Sequence, residues 1–208
     1  MLDQQTLDRL WNFGDPELSE HRFREAMADP RFDTDEKGEL ATQLGRAIGL
    51  QGRFDEADTL LDSINGEDEP TVGVRIVLER GRVLNSSGHA AMAVPLFEQV
   101  AELSDHLGEE YLAVDALHML ALADSAHAEL WTRSALEYAS TAHDPGTRRW
   151  MVALHNNLGW ALHGAGRFTE ALVEFQLAEQ WAERVGTPAQ QQEAREAIQG
   201  CELSLAAG

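Results

Sequence analysis

Three glycines recur in this chain with the same followers. From Gly45 to Gly52, Gly81 to Gly88 and Gly159 to Gly166 the spacing is seven residues, and from Gly45 to Ala57, Gly81 to Ala93 and Gly159 to Ala171 it is twelve. A large apolar residue follows four later each time, at Leu61, Phe97 and Phe175. With 17 glycines among 208 residues such a triple coincidence is not accidental, and residues 45–57 (GRAIGLQGRFDEA) and 159–171 (GWALHGAGRFTEA) overlay without a gap. Physically, each copy reads as two amphipathic helices joined by a tight turn. In the clearest copy, Leu154 to Ala178, Leu158 and Leu162 share a stripe because residues four apart lie on one helix face. Gly166 closes that helix in the left-handed conformation that glycine adopts without steric penalty. Ala171, Leu172, Phe175 and Ala178 form the apolar face of the second helix. Gly159 and Ala171 are small where two backbones approach, and Phe175 fills the space beside them.

This pattern resembles the tetratricopeptide repeat: a leucine and glycine, an aromatic three on, then alanine, an aromatic four later and a proline. The resemblance covers most of the chain, with departures. The leading aromatic is replaced by Ala41, Val77 and His155, and the later tyrosine by Ile48, Leu84 and Leu162. The unit exceeds the family's usual length of about 34 residues. Gly45 to Gly81 spans 36 residues and Gly81 to Gly159 spans 78, which fits two units of 39, so a cryptic repeat lies between. Its second helix is expected over 127–143, carrying Leu130, Trp131, Ser134 and Tyr138, after a turn, ADSAHA, that has no glycine.

The expected fold is all-α: an α-solenoid of antiparallel helix pairs, which the resemblance makes a right-handed superhelix of about eleven helices, closed by a C-terminal capping helix. One domain is expected over 1–208, with approximate repeats 2–31, 34–66, 71–107, 109–143 and 145–186 and the capping helix over 187–206. Turns fall at or near Gly14, Gly52, Gly88 and Gly166. Local signals set the helix starts. Asp15 before Pro16, and Asp144 before Pro145, read as a cap followed by a first-position proline, the second opening the helix that carries Trp150 to His163. Asp33 with Glu36 forms a capping-box signature, Thr71 opens a helix to about Ser86, and Pro95 kinks the next helix or delays its start. The last helix starts at Thr187 with Pro188 first and Gln190 three after the cap, and its apolar stripe is Ala194, Ile198, Cys201 and Leu205.

Composition narrows the function classes. Sixteen Lys and Arg against 36 Asp and Glu leave a net charge of −20, and so acidic a chain is repelled by nucleic acid and by anionic lipid. No transmembrane run or signal peptide is read in the sequence, so the expected location is cytoplasmic. A single cysteine, Cys201, excludes an intramolecular disulfide and reads as a small buried hydrophobe on the last helix.

Chemical motifs do not accumulate. Asp33 to Gly38, DTDEKG, matches the first half of a calcium loop, but Lys37 stands at the third ligand position and Leu44 where the closing acid belongs, so the segment reads as a helix cap. No two of the eight histidines lie three or four apart on a helix, as two ligands of one ion must, and no metal or cofactor is expected. There is no GxSxG elbow, no P-loop and no dinucleotide fingerprint. The expectation is a protein that is not an enzyme.

Recognition is what remains. In proteins of the resembled family the first helix of each pair lines the concave surface, which implies an extended peptide or partner helix bound there. Taking Gly159 as the zero of rotation, Asn156, Trp160 and His163 lie away from the Leu158/Leu162 stripe. The same offsets give Thr42, Arg46 and Gly49 one repeat up, and Leu78, Arg82 and Asn85 in the next, with Arg75 one turn earlier. The candidate groove is therefore Arg46, Arg75, Arg82, Asn85, His118, Asn156, Trp160 and His163. Arginine offers a planar fork for carboxylates, asparagine bonds a peptide on both edges, and an exposed tryptophan anchors partners. The expected ligand is a protein or peptide segment with acidic groups or a free C-terminal carboxylate, held by the arginines at one end and by Asn156 and Trp160 at the other. Against this stands the reading in which the arginines are solvated or paired with acids such as Glu79. The alternative function is structural, a self-associating array without a peptide ligand.

Overall fold

The computed structural model describes residues 2–207, and among them the regular structure is helical throughout. The α-helices are α1 (Gln4–Leu10), α2 (Pro16–Ala28), α3 (Thr34–Leu50), α4 (Phe54–Asp62), α5 (Pro70–Ser86), α6 (Ala90–Leu107), α7 (Glu110–Ala123), α8 (Ala128–Thr141), α9 (Pro145–Arg148), α10 (Trp150–Gly164), α11 (Phe168–Val185) and α12 (Pro188–Ala207). The fold divides into two compact units, Met1–Asp124 and Ser125–Gly208. That division falls inside 109–143, the stretch where a cryptic repeat is expected.

In the first unit α1 packs on α2, α2 on α3, α3 on α4 and α5, α5 on α6, and α6 on α7. In the second, α8 packs on α10, α10 on α11, and α11 on α12. The recurring glycines explain the pairings. A Cβ added to Gly81 would stand 2.5 Å from Phe97 Cε1, and one added to Gly159 would stand 2.5 Å from Phe175 Cε1. At Gly45 the neighbour is Leu61 Cδ2, at 3.1 Å. Each glycine thus lets the second helix of its own pair press a large side chain against the first helix's backbone. Ala57, Ala93 and Ala171, the other small residues of the pattern, are fully buried.

Each unit has its own core. Leu7, Phe23, Leu40, Leu44, Ile48 and Ala57 cluster in the first. Leu158, Leu162, Ala171, Phe175, Ala197 and Cys201 cluster in the second. Cys201 is buried as expected, and its thiol donates to the Phe168 carbonyl at 3.2 Å.

Most helix ends obey their local signals. Asp33 and Glu36 close a reciprocal capping box, and Asp15 caps α2 ahead of Pro16. Thr187 N donates to Gln190 Oε1 at 3.0 Å, while Gln190 N donates to Thr187 Oγ1 at 3.3 Å, the same device at α12. Gly52, Gly88 and Gly166 have left-handed φ of 75°, 88° and 75°. The chain also turns at Phe13 and Gly14.

Five details differ from the sequence expectation. Glu69 caps α5 and Pro70 opens it, one residue before Thr71, because proline suits the first helical position. Pro95 does not delay the start of α6, which begins at Ala90 and carries the proline inside. Gly108, in the left-handed region at φ 72°, closes α6, a fifth glycine turn outside the repeating offsets. Asp144 caps only the single turn α9, and the helix of Trp150 begins separately after Arg149. On α12 the buried stripe is Ala194, Ala197 and Cys201, whereas Leu205 is exposed.

Candidate functional site

In the first unit the first-position helices α3, α5 and α7 carry polar side chains that face one another. Glu39 of α3 meets Arg75 of α5, with Oε2 to Nε at 3.3 Å. Arg82 of α5 bonds Glu79 of its own helix and Asp115 of α7. Near the start of α5, Thr71 Oγ1 donates to Glu109 Oε1 at 2.9 Å. Successive first helices are therefore joined by buried arginine and carboxylate pairs. Arg75, Arg82, Glu39, Glu79 and Asp115 are all buried. Breaking such a pair leaves an uncompensated charge in a poorly solvated place, at a cost of about 3 to 5 kcal/mol.

The electrostatics follow from burial and these pairings. Burial alone raises the Asp115 carboxyl, but Arg82 and then Arg46 outweigh it and hold the group below the usual carboxylate range. At Glu39 burial wins over Arg75 and the carboxyl is raised. Tyr111 is pushed up to about 12, first by burial and then by Asp115. His118, half-buried on α7, is lowered by burial, which the Asp115 carboxylate only partly opposes.

Arg46 is differently placed. It lies on α3, half-buried, and its guanidinium sits 5.2 Å from the ring centres of both Trp11 and Phe13. Those rings stack on each other at 4.6 Å with 4° between their planes, and Trp11 Nε1 donates to Gln43 Oε1 at 3.0 Å. Arg46 makes no ion pair among the described residues. It borders two cavities. One, of about 200 Å³, is lined by Arg46, Gly49, Leu50, Arg82, Asn85 and Leu122 among others; the second, of about 50 Å³, includes Trp11, Phe13, Arg75, Tyr111 and Asp115. Leu50 and Leu122 are 51% and 55% exposed, so the rim of the larger cleft is apolar.

The candidate groove residues thus separate. Arg46, Arg82 and Asn85 line one cleft, and Arg46 and Arg75 share the smaller cavity. The guanidiniums of Arg75 and Arg82 are engaged by carboxylates, so for Arg82 the pairing with Glu79 holds. Thr42 and Leu78, placed toward the groove by the same offsets, are buried.

In the second unit Trp160 is 49% exposed and packs edge-on to Phe175 at 5.0 Å and His163 at 5.5 Å. His163 Nε2 lies 3.0 Å from Ser204 Oγ. Asn156 borders a separate cavity of about 230 Å³ with Asn157, Gln190 and Glu193, and its side-chain oxygen is buried without a hydrogen bond. His155, which replaces the pattern's aromatic, pairs with Glu174 at 2.7 Å. Among the described residues no three His, Cys, Asp or Glu side chains converge to hold a metal ion, and no helix is long and apolar enough to cross a membrane.

The sequence reading missed Glu39, Asp115, Trp11, Phe13, Leu50 and Leu122. One signal was present: Glu39 and Arg75 each stand six residues before the glycine of their repeat, opposite charges at one register position.

Solved structures with the same fold are helical repeat proteins. A putative kinesin light chain from Podosopora anserina, with nearly identical TPR-like repeats, superposes with a TM-score of 0.60 at 16% identity, over 81% of this chain and 87% of that one. BtubC (BKLC) from P. vanneervenii superposes with a TM-score of 0.61 at 15% identity, over 97% and 91%. No family model and no curated protein matches the sequence. The fold is therefore of the tetratricopeptide-like helical repeat class, as the recurring glycines imply.

Proposed function

We propose that this chain is a protein-interaction module that binds a peptide or helical segment of a partner protein, as an adaptor or as the sensing part of a regulatory system. The observation that carries the reading is the cleft bordered by α3, α5 and α7. It is open, has exposed leucines at its rim, and places Arg46 and Asn85 beside them. Apolar side chains supply contact area and the polar pair supplies direction, the composition expected of a recognition site. The ligand is an extended or helical segment bearing acidic groups or a terminal carboxylate. On the second unit, considered by itself, Trp160 and Asn156 are candidate anchoring groups.

The test is affinity capture from the source cells, identification of the bound protein, and comparison of Arg46→Ala and Trp160→Ala with Met92→Ala, whose side chain is exposed on the second-position helix α6. The first two weaken capture and the third leaves it unchanged. Loss confined to Met92→Ala contradicts the reading. Leu203, 67% exposed on α12, favours a second function, self-association. A mass in solution that does not change with concentration contradicts that one.

A further inference from the structure

Three arginines stand on the first-position helices near the cleft, and their surroundings assign them different work. Arg75 is paired with Glu39, and Arg82 with Glu79 and Asp115, so the two bind neighbouring helices to one another. Removing either would damage the fold before it informed on any ligand. Arg46 has aromatic rings where the others have carboxylates. A guanidinium over ring faces is attracted through its face and keeps its in-plane N–H donors for an acceptor.

Arg46 also has exposed apolar side chains beside it on both cavities. Leu50 and Leu122 are exposed on the larger cleft, and Phe13, 60% exposed, stacks on Trp11 at the smaller cavity. Arg46 borders both. We infer that Arg46 is the recognition cation of this surface, and that its partner presents one carboxylate flanked by apolar side chains, the carboxylate on Arg46 and the apolar groups on Leu50, Leu122 and Phe13.

Charge complementarity sets the count at one. Glu79 lines the same two cavities as Arg46, and Asp115 lines the smaller. With the chain at −20 overall, a run of acids would meet these carboxylates as soon as its first member reached Arg46. Burial, and next the neighbouring Arg82, disfavour the charged form of Arg46 and lower its pKa. A carboxylate brought by a partner relieves that penalty and forms a charge-assisted fork.

This inference rests on the reading of the cleft as a binding site, and the experiment separates the two. A displayed library of random peptides is selected on the full chain. Selected peptides are then synthesised, and their affinities are measured by fluorescence anisotropy for the wild type, Arg46→Gln, Leu122→Glu and Met92→Glu. The expected peptides carry an Asp or Glu between apolar residues. Arg46→Gln weakens them about tenfold or more, as does changing the peptide's acid to its amide with the protein untouched, since a hydrogen bond to a charged group is lost either way. Met92→Glu leaves them unchanged. Peptides blocked by Leu122→Glu but indifferent to Arg46→Gln and to the amide change would leave the cleft as the site and overturn the role of Arg46. Selection of no peptide, or only of peptides blocked by Met92→Glu, would overturn both.

Discussion

At Gly81 and Gly159 a single methyl group decides the sign of a mutation. Replacing a helical glycine with alanine ordinarily gains about 1 kcal/mol, but here the new Cβ would stand 2.5 Å from a phenylalanine ring atom. Gly81→Ala and Gly159→Ala are therefore expected to destabilise by about 1 to 3 kcal/mol in denaturant titrations. Gly45→Ala costs less, because its neighbour is the branched end of Leu61 at 3.1 Å. Equal effects at the three sites would contradict this packing. His118 gives a second residue-scale expectation. Burial holds its pKa below the ordinary 6.5, so the unfolded chain takes up its proton first as the pH falls. Between the two values the unfolded state binds more protons, and stability declines with falling pH. The wild type should lose stability relative to His118→Gln as the pH drops from about 7 to about 5; parallel curves would refute the assignment. The glycine positions were legible in the sequence because each contact is local to one helix pair. Arg46 on Trp11 and Phe13 was not, because nothing in the repeat pattern ties α3 to a segment more than thirty residues earlier.

At the scale of elements, helix existence was legible wherever amphipathic spacing and a cap coincided. Asp33→Ala removes the side-chain half of the α3 capping box and should cost about 1 kcal/mol, measured as a shift in the denaturation midpoint. No change would mean that α3 is held by packing alone. The missed boundaries share a cause. Asp144 and Pro145 carry the same start signal as Asp15 and Pro16, yet the first pair opens one turn and the second a helix of 13 residues. A cap specifies where a helix begins, whereas its length depends on what the following residues pack against. For the same reason α6 accommodates Pro95, with Phe97 and Val100 fully buried after it. The groove offsets chose arginines that lie on α3 and α5, but offsets hold no information on which acids those helices bring together. Asp115 is 33 residues from Arg82, a spacing that differs from the 36 of Glu39 and Arg75.

For the molecule as a whole, the chain divides into two compact units between Asp124 and Ser125. Residues 1–124 expressed alone should therefore be helical and unfold in one cooperative transition by circular dichroism, while a broad, non-cooperative melt would count against a self-sufficient first unit. The repeat class was legible because its constraint recurs. The cleft was legible only as a face, since its depth and exposed leucines come from how α3, α5 and α7 meet. The central claim is that a partner protein lies on that face. A photo-crosslinking amino acid placed at Leu122, or separately at Met92, in chains returned to the source cells tests it most directly. The account predicts that the Leu122 chain joins covalently to a partner on illumination and that the Met92 chain does not; a crosslink from Met92 with none from Leu122 would contradict it.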